Sequence, residues 1–161
     1  MMVYLTNLDG NVKLEFDFLK DLPDDFDAAK TKLEKWVPFV LNISALGKTI
    51  AITEDMQACM TVYEVEKIYN GLKNLLDGTG DAKDSLFRHY SSESFFEISA
   101  EYLHEDDCFF VTLWFIVAEY PGGRIDGYDI GFRFAVGKPE MNSFAEEFKN
   151  GFCALCPQCS F

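Results

Sequence analysis

Three stretches of the chain alternate apolar and polar side chains with a period of two. They cover residues 12–18, 96–102 and 128–136. Successive side chains of a strand point to opposite faces of its sheet. Each stretch is therefore predicted to be a strand with one face in the core and one face in solvent, so sheet is expected to dominate the fold.

Four further strands are predicted. Residues 3–7 precede the hairpin signal Asp9-Gly10, and residues 39–46 and 48–53 flank Gly47. Residues 108–118 are apolar at both parities, which is typical of a central strand covered on both faces. We expect Trp114, in that strand, to lie in the core.

Two helices are predicted from their start signals. Thr61-x-x-Glu64 is a capping box, followed by an apolar stripe at helical spacing and by Gly78 as the C-terminal cap. Ser143-x-x-Glu146 is a second capping box, which predicts a helix over residues 142–150 that either ends at Gly151 or continues through Leu155. Residues 21–35 fit either a short helix or an ordered loop.

This element order lacks the strict strand–helix alternation of a doubly wound sheet. We therefore predict an α+β fold, a mostly antiparallel twisted sheet or partial β-sandwich with two to three packed helices. Residues 1–161 are expected to form a single domain, with residues 153–161 as a candidate flexible tail. No catalytic motif points to an enzyme or to a cofactor.

The charge balance restricts the partners that the chain can bind. The 27 acidic side chains exceed the 14 basic ones and give a net charge of −13. Phosphate binding needs clustered Lys and Arg, so this charge argues against nucleic acid, and also against an anionic membrane surface. The chain shows neither a secretory signal nor an apolar run long enough to cross a membrane, so we expect a cytoplasmic protein.

Five cysteines, an odd number, are typical of reduced thiols in the cytosol rather than of a disulfide framework. Three of them, Cys153, Cys156 and Cys159, have a spacing that can serve a metal ion. A zinc site commonly needs a fourth ligand, and none is close in sequence. Free thiols in the tail are therefore the favoured interpretation, and a metal site is the alternative.

Acidic side chains concentrate between residues 86 and 107, where six of them face a single basic residue, Arg88, for a local charge of −5. We predict that this acidic stripe binds a basic protein partner, since opposite charge steers such encounters. A solvated face without a partner is the alternative interpretation. The stripe consists of Glu93, Glu97, Glu101, Glu105, Asp106 and Asp107.

The order of elements from Trp36 onward resembles a known family. A strand pair leads into the helix over residues 61–77, which ends in Leu75-Leu76-Asp77-Gly78, and hairpins and a closing helix with Phe144 and Phe148 follow. This pattern is similar to that of the WapI-like immunity proteins of bacterial polymorphic-toxin systems. The resemblance implies a non-enzymatic inhibitor that binds a cognate toxin domain, often a basic nuclease.

Two other functions fit the sequence. One is a structural or assembly module that acts through a homo-oligomeric interface, and the other is a metal-binding protein that uses the C-terminal thiols.

Overall fold

The computed structural model describes residues 2–24, 26–27, 31–78, 86–116 and 129–159. These residues form nine strands and two α-helices. In chain order the elements are β1 Val3–Thr6, β2 Val12–Phe18, β3 Trp36–Ala45, β4 Lys48–Ile52, β5 Cys59–Thr61, α1 Val62–Asp77, β6 Leu86–Tyr90, β7 Phe96–Leu103, β8 Cys108–Ile116, β9 Asp129–Gly137 and α2 Lys138–Leu155.

The strands form two sheets in which every pairing is antiparallel. The first sheet has the order β1-β2-β3-β4, and β5 pairs with the beginning of β3. The second sheet has the order β6-β7-β8-β9. The predicted α+β class, mostly antiparallel sheet with packed helices, is confirmed.

The alternation read from the sequence decides which face of each strand is buried. In β2, Leu14, Phe16 and Phe18 are buried, and the first two lie opposite Ile43 and Leu41 of β3. In the second sheet, Ile98 of β7 lies opposite Leu113 of β8 in the same way. Each sheet thus has one apolar inner face.

Phenylalanine rings join the two inner faces and α2 into one core. Phe39 of the first sheet meets Phe96 of the second, with ring centroids 5.6 Å apart. Phe16 stacks on Phe39 at 5.5 Å and contacts Phe148 of α2 at 5.0 Å. Such aromatic contacts add about 0.5–1.5 kcal/mol each beyond the burial of area.

The first helix has the caps that the sequence predicts. Thr61 accepts the Glu64 amide hydrogen through its hydroxyl oxygen, and Gly78 adopts the left-handed conformation with φ of 62°. The predicted apolar stripe is buried at Val65, Ile68 and Leu72.

The second helix is longer than predicted, because it begins at Lys138 rather than at residue 142. Pro139 occupies its first turn, where a missing amide hydrogen costs nothing. Ser143 is therefore an interior residue, and its hydroxyl donates to the Glu147 carboxylate at 3.0 Å instead of capping the helix. Neither described helix combines the length and the apolar character needed to span a membrane.

Other local predictions need correction. The short strands β5 and β6 were not foreseen, because three to five residues give too little periodicity. Of the two alternatives for residues 21–35, the described residues fit the loop, since they form turns and bends rather than a helix.

The thiol prediction is wrong for two of the five cysteines. Cys156 and Cys159 form a disulfide, whereas Cys59, Cys108 and Cys153 are free. The candidate tail begins inside α2, and Cys156 and Cys159 both pack against the hydrophobic core.

A buried carboxylate ties α1 to both sheets. Glu64 is 3% exposed, and its side chain accepts the Thr61 amide hydrogen at 2.8 Å and the Ser92 amide hydrogen at 2.7 Å. The imidazole Nε2 of His89, in β6, lies 3.4 Å from the same carboxylate. Burial by itself would raise the pKa of Glu64, but His89 and the donors of Thr61 and Ser92 outweigh it and lower the pKa to about 2.

This lowered pKa predicts a loss of stability in acid. The carboxylate stabilises the fold fully above its ordinary pKa of 4.5, and protonation removes that contribution as the pH falls toward 2. At neutral pH the contribution is on the order of 3 kcal/mol, of which about 2 kcal/mol is lost by about pH 3.

The Glu64→Gln variant should be less stable than the parent chain at neutral pH and should lack this part of the acid dependence. Urea unfolding of both proteins at about pH 7, 5 and 3 measures the difference. Parallel pH curves for the two proteins would show that Glu64 does not carry the effect.

Candidate functional site

The outward-pointing side chains of the second sheet form a continuous surface, called the outer face below. The strand register arranges them in three rows across β6, β7, β8 and β9. The rows are Tyr90–Glu97–Trp114–Gly131, Arg88–Ser99–Thr112–Arg133 and Leu86–Glu101–Phe110–Ala135.

Large apolar side chains on the outer face are open to solvent. Trp114 is 40% exposed, and Leu86 and Tyr90, both on the edge strand β6, are about half exposed. The expectation that β8 is covered on both faces, with Trp114 in the core, is therefore wrong. The inward-facing residues Phe109, Val111 and Leu113 of β8 are buried. Of its outward-facing residues only Cys108, at the beginning of the strand, is buried.

Trp114 owes its position to the glycine beside it in the row. A Cβ atom on Gly131 would lie 2.5 Å from the indole ring, so the ring lies flat against the glycine backbone. The absence of a side chain at Gly131 thus provides the space that Trp114 occupies. Because the ring is held on one side and open on the other, it is an ordered aromatic contact surface.

Ion pairs surround the aromatic side chains. Arg88 donates through Nε to Glu97 at 2.6 Å, and this hydrogen bond raises the pKa of Arg88. The Arg133 guanidinium lies 3.6 Å from the Glu101 carboxylate and 4.7 Å from the ring centre of Phe110. A depression of about 260 Å³ lies among these side chains.

The predicted acidic stripe extends along the whole of β7. Glu97 and Glu101 belong to the outer face, but Glu97 is only 9% exposed. Glu93 lies before β7 and accepts the Cys59 amide hydrogen at 2.7 Å. Glu105, Asp106 and Asp107 are exposed in the turn between β7 and β8.

Half of the stripe is matched by basic side chains, and two of the three lie outside the residues that the local sequence count covers. Arg88 pairs with Glu97, Arg133 with Glu101, and Lys138 with Asp107 at 2.6 Å. The hydrogen bonds of Lys138 and then Tyr102 lower the pKa of Asp107. Arg133 and Lys138 reach the stripe from β9 and α2, so the local charge of −5 overstates the negative field of this region.

The candidate metal ligands are not assembled as a site. The sulfur atoms of Cys156 and Cys159 are bonded to each other, which leaves Cys153 as the free thiol of the three. Within the described ranges, no group of three His, Cys, Asp or Glu side chains is arranged to hold a metal ion.

Sequence reasoning placed Glu97 and Glu101 on the solvent side of β7 but missed the aromatic half of the outer face. The signal was present in the neighbouring strands. Polar residues of one parity in β7 and β9 flank β8, so the Trp114 parity of β8 must share their open face.

Comparison with known proteins gives a family and a fold. The immunity protein WapI-like family matches residues 5–152, while no curated protein matches the chain. Among solved structures, the plant transcriptional regulator PBF-2 is similar, with a TM-score of 0.52 and 14% identity over 98% of this chain and 84% of that chain. WHY1 from Arabidopsis thaliana has a TM-score of 0.48 and 14% identity over 100% of this chain and 94% of that chain.

At 14% sequence identity, the similarity to PBF-2 concerns the fold alone. The family match extends from within β1 to within α2 and includes the eight described strands from β2 to β9 in full. The resemblance drawn from the order of the elements is confirmed, and the chain belongs to the WapI-like immunity protein family.

Proposed function

We propose that this chain is a non-enzymatic immunity protein that binds a cognate toxin domain in the cytoplasm and blocks it. The toxin would be a basic protein, and the outer face would be the surface that meets it. The observation that carries this choice of surface is the exposed Trp114, supported on Gly131 and ringed by ion pairs.

The chemistry of the outer face resembles that of protein interfaces. Tryptophan, tyrosine and arginine are the residues most often responsible for binding energy, and the outer face has each of them in Trp114, Tyr90 and Arg88. Trp114 lies against Gly131 and Arg88 is paired with Glu97, so ordering these two side chains on binding costs less conformational entropy than it would for free side chains.

The net charge favours a basic partner. At −13 the chain attracts cationic surfaces over a Debye length of about 8–10 Å at physiological ionic strength. Exposed carboxylates at Glu105 and Asp106 lie at one end of the outer face and add to this attraction. The same charge opposes nucleic acid, so we assign the partner role to a protein.

The role as an inhibitor is tested by co-expression. A toxin reading frame directly upstream of the gene for this chain is the candidate partner. Expression of that toxin alone should stop bacterial growth, and co-expression of this chain should restore growth. Failure to restore growth, with both proteins produced, would contradict the proposed function.

Trp114→Ala should weaken binding to that toxin domain by at least about 30-fold, because a central aromatic anchor contributes roughly 2 kcal/mol or more. Calorimetry or biolayer interferometry measures the change. Tyr4→Ala is the matched control, because Tyr4 is a similarly exposed aromatic residue (44%) on the first sheet. Equal effects of the two substitutions would remove the outer face from the interface.

Glu101→Lys should slow association with the toxin more than Glu15→Lys does. Both positions are glutamates of a strand paired with a basic side chain, so the two variants change the net charge equally. Their difference therefore isolates the position of the charge on the outer face. It should shrink when the salt concentration rises from about 0.05 M to about 0.5 M. Association rates that do not differ at low salt would contradict a role for Glu101.

A further inference from the structure

The last strand of the second sheet has an open edge. One side of β9 is paired with β8, and on the other side the Leu8 amide donates to the Ala135 carbonyl at 3.0 Å. The backbone groups of Ala135 therefore point away from β8. Because backbone direction in a strand repeats every second residue, those of Arg133 and Gly131 point the same way.

Within the ranges that the structure describes, no backbone hydrogen bond reaches the outward N–H and C=O groups of Gly131 and Arg133. Unpaired backbone groups on an edge strand are a template for another strand. Proline and lysine, which commonly protect such edges, do not occur between residues 129 and 137.

A groove of about 1050 Å³ runs beside this edge and is called the edge groove below. Consecutive residues of β9 from Ile130 to Ala135 line it, so the strand presents its edge rather than one face. The opposite wall comes from the β1–β2 turn and the β3–β4 hairpin, including Val12, Leu46 and Ile50. The groove thus offers backbone groups on one side and a mixture of apolar and polar side chains on the other.

We propose that the edge groove binds one extended segment of a basic protein partner, which pairs with Gly131 and Arg133 of β9 as an added strand. The inference rests on the proposed function for the identity of the partner as a toxin, but the binding mode itself comes from the edge. Backbone hydrogen bonds supply affinity in such strand addition, and alternate side chains of the segment enter the groove.

Charge favours a basic segment over a second copy of this chain. Two copies would each bring a net charge of −13 to the contact, and that repulsion opposes self-pairing. Asp9 and Lys48, both exposed in the groove wall, offset each other, and Asp129, exposed at the beginning of β9, can meet a cationic side chain. The positive charge of Arg133 is already matched by Glu101.

The test uses a seven-residue peptide of alternating Lys and Val, with both ends blocked, added to the full chain. We expect one peptide to bind per chain and the amides of Gly131 and Arg133 to become protected from hydrogen exchange, as measured by NMR. Fast exchange at both amides with saturating peptide would overturn the proposal. Slow exchange in the free protein at every concentration would also overturn it, because the edge would already be paired.

A pair of variants isolates the backbone contribution. Arg133→Pro removes the outward N–H, whereas Arg133→Ala removes the same side chain and keeps the N–H. Proline is tolerated on an edge strand where its position makes no ladder hydrogen bond. We expect the peptide to bind Arg133→Pro about tenfold more weakly than Arg133→Ala. Equal binding by the two folded variants would overturn the added strand.

A second copy of the chain is the other candidate occupant. It would be indicated if protection of the Gly131 and Arg133 amides rose with protein concentration without peptide and light scattering showed a dimer, and that result would overturn the proposal. If Arg133→Pro does not fold, the exchange measurement on the parent chain decides alone. The peptide experiment contains no toxin. Its failure would leave the co-expression result intact, and a negative co-expression result would leave the peptide binding intact.

Discussion

The carboxylate of Glu64 joins the beginning of α1 to the hairpin of β6 and β7, two parts of the fold that are distant in sequence. It closes the capping box at the beginning of α1, accepts the Ser92 amide in the turn between β6 and β7, and faces His89 of β6. Since Thr61 is the last residue of β5, the same carboxylate also reaches the first sheet. A buried charge is tolerated only when donors surround it, so α1 and the second sheet must dock in one relative position to satisfy Glu64.

That docking decides which surfaces remain free. The inner faces of both sheets and the apolar sides of α1 and α2 enclose one core. In it, ring contacts run from Phe148 through Phe16 and Phe39 to Phe96. With both helices placed on the inner side, neither described helix covers the outside of the second sheet. The exposed aromatic side chains of the outer face are thus a consequence of the way the core is closed.

The sequence predicts the parts of this structure that depend on local chemistry. The alternation in β2, β7 and β9, the capping box at Thr61 and the terminating Gly78 are each decided within a few residues, and each is found in the structure. The beginning of α2 was misplaced because Ser143 offers the same local signal as a true cap, while Pro139 is equally compatible with a loop.

The candidate site was harder to predict because it depends on neighbours that are distant in sequence. Counting charges along residues 86–107 includes Arg88 but not Arg133 or Lys138, which reach Glu101 and Asp107 only through pairing of β9 and packing of α2. The exposure of Trp114 likewise depends on which elements cover β8, and the apolar composition of the strand does not indicate which elements these are. The odd number of cysteines predicted free thiols, but Cys156 and Cys159 form a disulfide. The count concerns the chain as a whole and does not exclude a bond between any one pair.

Gly131 connects the two surfaces proposed for partner binding. The missing side chain lets Trp114 lie against its backbone on the outer face, while its outward N–H and C=O point into the edge groove. Arg133, two residues later, also belongs to both, since its side chain pairs with Glu101 and its backbone continues the open edge. A partner strand added at this edge would extend the second sheet and bring its own outward side chains level with Trp114 and Phe110. The outer face and the edge groove therefore form one continuous surface that bends around β9. An extended segment of the partner can contact both at once.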